Sequence, residues 1–138
     1  MQASPCVHCA QKNMAADKKE NAAKGLDGEE LAAAYLSERG YMIMHMRWRS
    51  GKNEIDIIAQ KEKHIVFVEV KTRYSSAYAE PWEAVNSVKR RKICTGANTF
   101  IKSSGTELEP RFDIVSIIKS NGKCSILHIE DAFRPWAV

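Results

Sequence analysis

The stretch from Glu54 to Lys71 constrains this chain more than any other. Two β-rich apolar runs, Glu54-Ile55-Asp56-Ile57-Ile58-Ala59 and Ile65-Val66-Phe67-Val68-Glu69-Val70-Lys71, flank the polar segment Gln60-Lys61-Glu62-Lys63-His64. That pattern predicts a hairpin of two buried strands. Each run carries charge where a core strand should not: Asp56 in the first, Glu69 and Lys71 in the second. Side chains alternate along a strand, so Glu69 and Lys71 share a face. A register that sets Asp56 opposite Glu69 also sets Ile58 opposite Phe67 and Glu54 opposite Lys71. A slip of one residue would turn Asp56 to the other face. Charge on a buried strand is costly unless it is paired or bound to metal. Two readings stand open. One is a structural ion pair at a strand end. The other is a divalent-cation site, since hard cations prefer carboxylate oxygens and a nearby lysine can orient or activate a water.

The chain of 138 residues suits a single domain with a real core: 28% of the whole are charged and 44% hydrophobic. A net charge of +4 is a mild basic bias, compatible with nucleic acid without demanding it. No apolar run approaches the roughly 20 residues of a membrane span, and no apolar core follows a basic start at the N-terminus. Cys94 and Cys124 lie in apolar-patterned segments and are expected to be buried free thiols. These features predict a cytoplasmic protein with no membrane partner. Residues 1–17 read as a disordered tail and residues 18–138 as the domain. The tail holds Cys6-Val7-His8-Cys9, but no second ligand pair follows at zinc-finger spacing. The ordered pattern begins only after Met14, so residues 1–13 are read as an extension ahead of a start there.

From Lys18 to Arg39 the pattern is helical, closed by Gly40. At 100° per residue Tyr35, Ala32, Leu36, Glu29 and Ala33 share one side. Glu29 therefore lies within the apolar stripe, either as a third acid of the site or as an edge glutamate reaching water. Tyr41–Arg49 is the expected first strand, with its methionines read as core filler. Arg47, Trp48 and Arg49 form a basic-aromatic cluster that fits phosphate contact and base stacking, or an ordinary surface cation over a ring. Ser50-Gly51-Lys52-Asn53 is a turn, and the polar stretch Thr72–Glu80 is a loop beside the site that includes Arg73. Pro81 opens a second helix running to Lys102, with Val85, Val88, Ile93, Gly96 and Phe100 on its inner side. Lys89 falls on that side too and is assigned a site-facing or phosphate-facing role. Ser103–Pro110 is a loop. Arg111–Ile118 and Cys124–Ile129 are the last strands, joined at Asn121-Gly122. His128, Glu130 and Asp131 read as a strand end entering a surface turn. There is no P-loop, G-x-S-x-G or dinucleotide fingerprint.

The assembled order is helix, three strands, helix, two strands. In it, Gly28-Glu29-Glu30-Leu31-Ala32 with Tyr35-Leu36, Gly40-Tyr41, Glu54-Ile55-Asp56-Ile57-Ile58-Ala59, Phe67-Val68-Glu69-Val70-Lys71-Thr72-Arg73, Glu83-Ala84-Val85 with Lys89, and Arg111-Phe112-Asp113 resemble the bacterial YraN-like family over about residues 24–133. That family is similar in fold to restriction endonucleases and Holliday-junction resolvases, whose D…E-x-K motif binds magnesium. The resemblance implies an α/β fold with a restriction-endonuclease-like core, a mixed sheet of about five strands flanked by helices. It also implies a catalytic set of Asp56, Glu69, Lys71 and Glu29, and a Mg²⁺ site, with Mn²⁺ as a substitute, on Asp56, Glu69 and Glu29. Arg47, Arg49, Arg73 and Lys89 are the expected nucleic-acid contacts. The expected activity is hydrolysis of DNA phosphodiesters, branched or single-stranded DNA being the analogous substrates. The alternative is a nucleic-acid-binding module that kept the fold without turnover. The same likeness allows a homodimer, because resolvase-like enzymes act on two strands with two subunits. Asn53 and Arg47 depart from the family pattern, where glycine and asparagine are common.

Overall fold

The computed structural model describes residues 24–74, 87–120 and 122–134. Its elements are α1 (Lys24–Glu38), β1 (Met42–Ser50), β2 (Asn53–Lys61), β3 (His64–Tyr74), α2 (Ser87–Ser104), β4 (Glu109–Ser120) and β5 (Lys123–Phe133). The strands form one sheet in the order β1-β2-β3-β4-β5. β3 and β4 run parallel, and every other neighbouring pair is antiparallel. This is the expected α/β architecture, a five-stranded mixed sheet consistent with a nuclease-like core.

Strands β2 and β3 are buried on both faces, so their apolar residues divide by alternation into two cores. Ile57, Ala59, Val66 and Val68 pack with Leu31, Ala32, Tyr35 and Leu36 of α1. Ile58, Ile65 and Phe67 pack with Ile93, Ala97 and Phe100 of α2. One helix therefore covers each face. Gly40 ends α1 at φ 91°, and the Tyr41 N–H bonds to the Leu36 carbonyl at 3.0 Å, which gives the helix the glycine stop read from the sequence. Gly28 lets α1 lie close on β3, since a Cβ there would overlap the Thr72 hydroxyl.

Several expectations need correction. Met42 and Met44 are exposed rather than core filler, because β1 is an edge strand with a bulge between Ile43 and His45. Val88 is 56% exposed, outside the inner face assigned to it. α2 extends to Ser104, and Glu109 and Pro110 already belong to β4, so the loop between them is shorter than read. β5 continues through Phe133, so His128 stands inside a strand rather than at a surface turn. Cys124 is buried as expected, whereas Cys94 is only partly so, and that partial burial pushes its thiol pKa up. The tail with Cys6 and Cys9, residues 18–23, the loop at 75–80, the helix start at Pro81 with Val85, and Asn121 lie outside the described residues.

Candidate functional site

The register of the central hairpin sets Ile58 opposite Phe67, as its apolar pattern requires, and the ladder reaches Ile57 opposite Val68 before it stops. The next residues in step are Asp56 and Glu69. Here β2 and β3 part company, while β3 continues beside β4 as far as Tyr74. A main-chain N–H released at such a split needs a new acceptor. Asp56 supplies it, its Oδ2 accepting from the Val70 N–H at 2.8 Å. Its carboxylate is therefore fixed between the two strands.

The same point interrupts the other side of β2. The β1–β2 ladder pairs Met46 with Ile57 and Trp48 with Ile55, and skips Arg47 and Asp56 between them. Arg47 has φ 53°, a left-handed conformation that costs a non-glycine residue energy. Strict alternation would place Ile55 and Ile57 on one face. Instead Ile57 packs in the α1 core and Ile55 in the α2 core, and Met46 and Trp48 divide in the same way. Both strands turn over at Arg47 and Asp56. Sequence periodicity cannot show this, because it assumes an unbroken pleat.

Glu69 is 4% exposed and Lys89 of α2 reaches it, Nζ to Oε2 at 3.1 Å. Lys89, expected to face the site or a phosphate, is thus paired with Glu69. Burial, then the Glu69 charge, push the Asp56 carboxyl up to about 7; Glu29 adds to the rise, while the Val70 N–H and Lys89 oppose it. Burial works against the Lys89 charge, but Glu69, with Asp56 and Glu54 behind it, outweighs that and holds the ammonium above its usual range. Three acids and one lysine thus share one field at the strand split.

The other expected residues are placed as follows. Lys71 is half-buried and sits two residues beyond Glu69 in a continuous ladder with β4, hence on the same face. Glu29 stands on α1 and accepts from Arg47 Nη1 at 3.0 Å. Asp56, next in step with Glu69 at the split, and Lys89, paired with Glu69, thus form one group, and Glu29, whose charge reaches Asp56, is itself paired with Arg47. Glu54 does not face Lys71. It lies opposite Arg49, with Arg49 Nε 3.6 Å from its Oε2, because the hairpin has split before that position. Trp48 packs edge-on against Phe100 at 5.4 Å between centroids, so its ring serves the α2 core. Arg73 lies near the end of β3, opposite Ile118. Among the described residues, no three His, Cys, Asp or Glu side chains converge as a metal-binding group.

A second buried acid, Asp113, is one to which the sequence pattern assigns no role. Asp113 is fully buried on β4 and accepts from Arg111 Nε at 3.0 Å and Nη2 at 2.8 Å, and from the Asp131 N–H at 3.0 Å. His128 Nε2 lies 2.7 Å from its Oδ2. Arg111 Nη2 also donates to the Tyr41 hydroxyl at 2.6 Å, and Tyr41 and His128 meet edge to face at 5.6 Å. Burial alone would raise the Asp113 carboxyl, but the bonds from His128, Arg111 and Asp131 hold it below its ordinary value. Arginine and aspartate two apart on a strand share a face, and that spacing was the available signal.

A family model described as an uncharacterised protein family, UPF0102, matches residues 28–117, which span Glu29, Asp56, Glu69, Lys71, Lys89 and Asp113. A UPF0102 protein of Bacteroides thetaiotaomicron is similar at 44% identity over 111 residues, covering 80% of this chain and 92% of that protein. One from Chloroherpeton thalassium is 42% identical over 123 residues, covering 83% and 95%. One from Phocaeicola vulgatus is 39% identical over 111 residues, covering 80% and 92%. No helix among the described residues is long and apolar enough to cross a membrane. On this family match and these likenesses, the chain belongs to the uncharacterised, YraN-like UPF0102 family.

Proposed function

We propose that this protein is a metal-dependent endodeoxyribonuclease whose site is the strand split at Asp56 and Glu69. The observation that carries the reading is the Asp56 carboxyl, held in place by the Val70 N–H and raised to about 7 by burial and by Glu69. Two acids so placed need positive charge between them. Magnesium suits such a sparse donor set, because it is commonly held by one or two carboxylates, with waters and substrate phosphate oxygens completing the octahedron. Asp56 and Glu69 would hold the ion, and Mn²⁺ would substitute for it. When bound, it would supply Lewis-acid charge to a phosphate oxygen and lower the pKa of a water. Asp56 keeps its carboxylate aimed into the split through Val70. Lys71, on the Glu69 face, orients the attacking water or balances charge at the phosphate. Glu29 stays outside the inner donors and steadies Arg47. Arg47, Arg49, Arg73 and Lys89 supply phosphate contacts.

The test is a magnesium titration against branched, nicked and single-stranded DNA. Cleavage is expected on at least one of them, lost in Asp56→Asn and reduced roughly 10²–10³-fold in Lys71→Ala, the scale of one lost transition-state contact. DNA affinity should fall steeply with salt, and Lys89→Ala and Arg73→Ala should each lower the salt slope by about one phosphate contact. The second reading, a binding module without turnover, is favoured by one observation: Glu69 and Glu29 are already paired with Lys89 and Arg47. Salt-dependent DNA binding with no metal-dependent cleavage of any of the three substrates would select it.

A further inference from the structure

The pair between Lys89 and Glu69 has an asymmetry that the Asp113 cluster lacks. The Glu69 side chain is 4% exposed, whereas that of Lys89 is 44% exposed. The acid is fixed inside the sheet and the base approaches it from solvent. Lys89 stands at the start of the described part of α2, on a flexible four-carbon stem, so its ammonium can leave Glu69 without moving the helix. Arg111, by contrast, grips both oxygens of Asp113 with two donors and is itself 13% exposed at the side chain. The ammonium of Lys89 also lies in the fields of Asp56 and Glu54. At 3.1 Å from Glu69 Oε2 it holds an oxygen that a cation bound to Glu69 would also use.

We propose that Lys89 is an internal counter-ion that holds Glu69 until a divalent cation displaces it. This rests on the metal-site reading above and deepens it. An ammonium and a divalent cation compete for the same Glu69 oxygen and repel each other across the same short distance. Metal entry therefore includes the loss of the Lys89–Glu69 pair, and that loss weakens the apparent affinity for metal. In the absence of metal, the same pair spares Glu69 the cost of a buried unpaired charge.

The experiment is calorimetric titration of the full chain with MgCl₂ and with MnCl₂, without DNA, for wild type, Lys89→Met and Lys89→Arg. Thermal melts are run beside each titration, and Lys89→Gln replaces Lys89→Met if the latter does not fold. Methionine keeps much of the stem and removes the charge. Lys89→Met is expected to bind metal roughly tenfold more tightly than wild type, a typical coupling between linked sites. Its metal-free melting temperature should drop and its gain on adding Mg²⁺ should exceed that of wild type. Lys89→Arg, which keeps the charge, should bind metal no better than wild type. Equal or weaker metal affinity in Lys89→Met, with wild type binding metal, overturns the counter-ion role and leaves the metal site standing. No heat and no melting shift with either metal, in wild type and in Lys89→Met alike, overturns both.

Discussion

Asp56 and Asp113 flank β3, one on β2 and one on β4, and their settings are alike in three ways. Each lies where a strand ladder is interrupted, at the skipped position of β1–β2 and at the register shift of β4–β5. Each sits beside a residue in the left-handed region, Arg47 at φ 53° and Asp131 at φ 54°. Each accepts a main-chain N–H, from Val70 or from Asp131. They differ in what surrounds the rest of the carboxylate. Asp113 meets a guanidinium and an imidazole, and its carboxyl is held low. Asp56 is buried near Glu69 and Glu29, and burial first, then those like charges, drive its carboxyl high. The same local device, an aspartate closing a gap in a sheet, builds the fold in one place. In the other it is left short of positive charge, as a binding site requires.

The comparison can be broken most forcefully at Asp113. Replacing Asp113 by Ala leaves Arg111 and His128 buried without their shared acceptor and should cost about 3–5 kcal/mol in urea unfolding. A loss under about 1 kcal/mol would mean that the network does not hold the β4–β5 end of the sheet together.

Acidity separates the two next. The folded pKa of Asp56, about 7, lies above its unfolded value of 3.8. The folded protein therefore binds the extra proton between these values, and the stabilisation present below about pH 4 is lost as pH rises through 7. For metal-free wild type this is a decline of up to roughly 4 kcal/mol, at about 1.4 per pH unit. Asp113 has the opposite sign: its lowered pKa contributes stability above the unfolded value that is lost as pH falls through the folded one. Asp56→Asn should flatten the slope between pH 4 and 7 and leave the acid limb unchanged. Chemical unfolding across pH would show a wild-type profile already flat there if the two aspartates were equivalent.

The smallest effect concerns Arg47. The Arg47 side chain is 41% exposed, so its pair with Glu29 contributes no more than about 1 kcal/mol. Arg47→Gly should relieve the left-handed backbone and offset the lost pair, leaving stability within about 1 kcal/mol of wild type. Arg47→Ala, which keeps the strain, should be the less stable of the two by urea melt.

Most of the fold was legible because apolar runs and turn residues act locally. The hairpin register followed from Ile58 and Phe67 having to share a buried face, and the helix stop at Gly40 from one residue type. The strand split was not legible. Asp56 opposite Glu69 is where a regular register would place them, yet the ladder stops one pair earlier and Asp56 bonds to Val70 instead. That choice depends on β4 holding β3 beyond the split, a long-range fact. Lys89 was placed by helical angle, because a helix face is a local property. Glu29 was placed on the correct helix side by the same means, but its partner Arg47 depends on a backbone reversal in β1 that no period predicts. The place of His128 inside a strand is hidden because Glu130 and Asp131 look like a turn, whereas the bulge at Asp131 keeps β5 going to Phe133.

The central claim is that Asp56 and Glu69 form a site for a divalent cation rather than a structural ion pair. Thermal melts of wild type and Asp56→Asn, each with and without Mg²⁺, test it most directly. Mg²⁺ should raise the wild-type melting temperature through linkage. Asp56→Asn, which keeps an oxygen for the Val70 N–H and removes one of two repelling charges, should be as stable as metal-free wild type or more so, and should show no gain with Mg²⁺. A marked loss of metal-free stability in Asp56→Asn, together with no magnesium effect in wild type, would contradict the account.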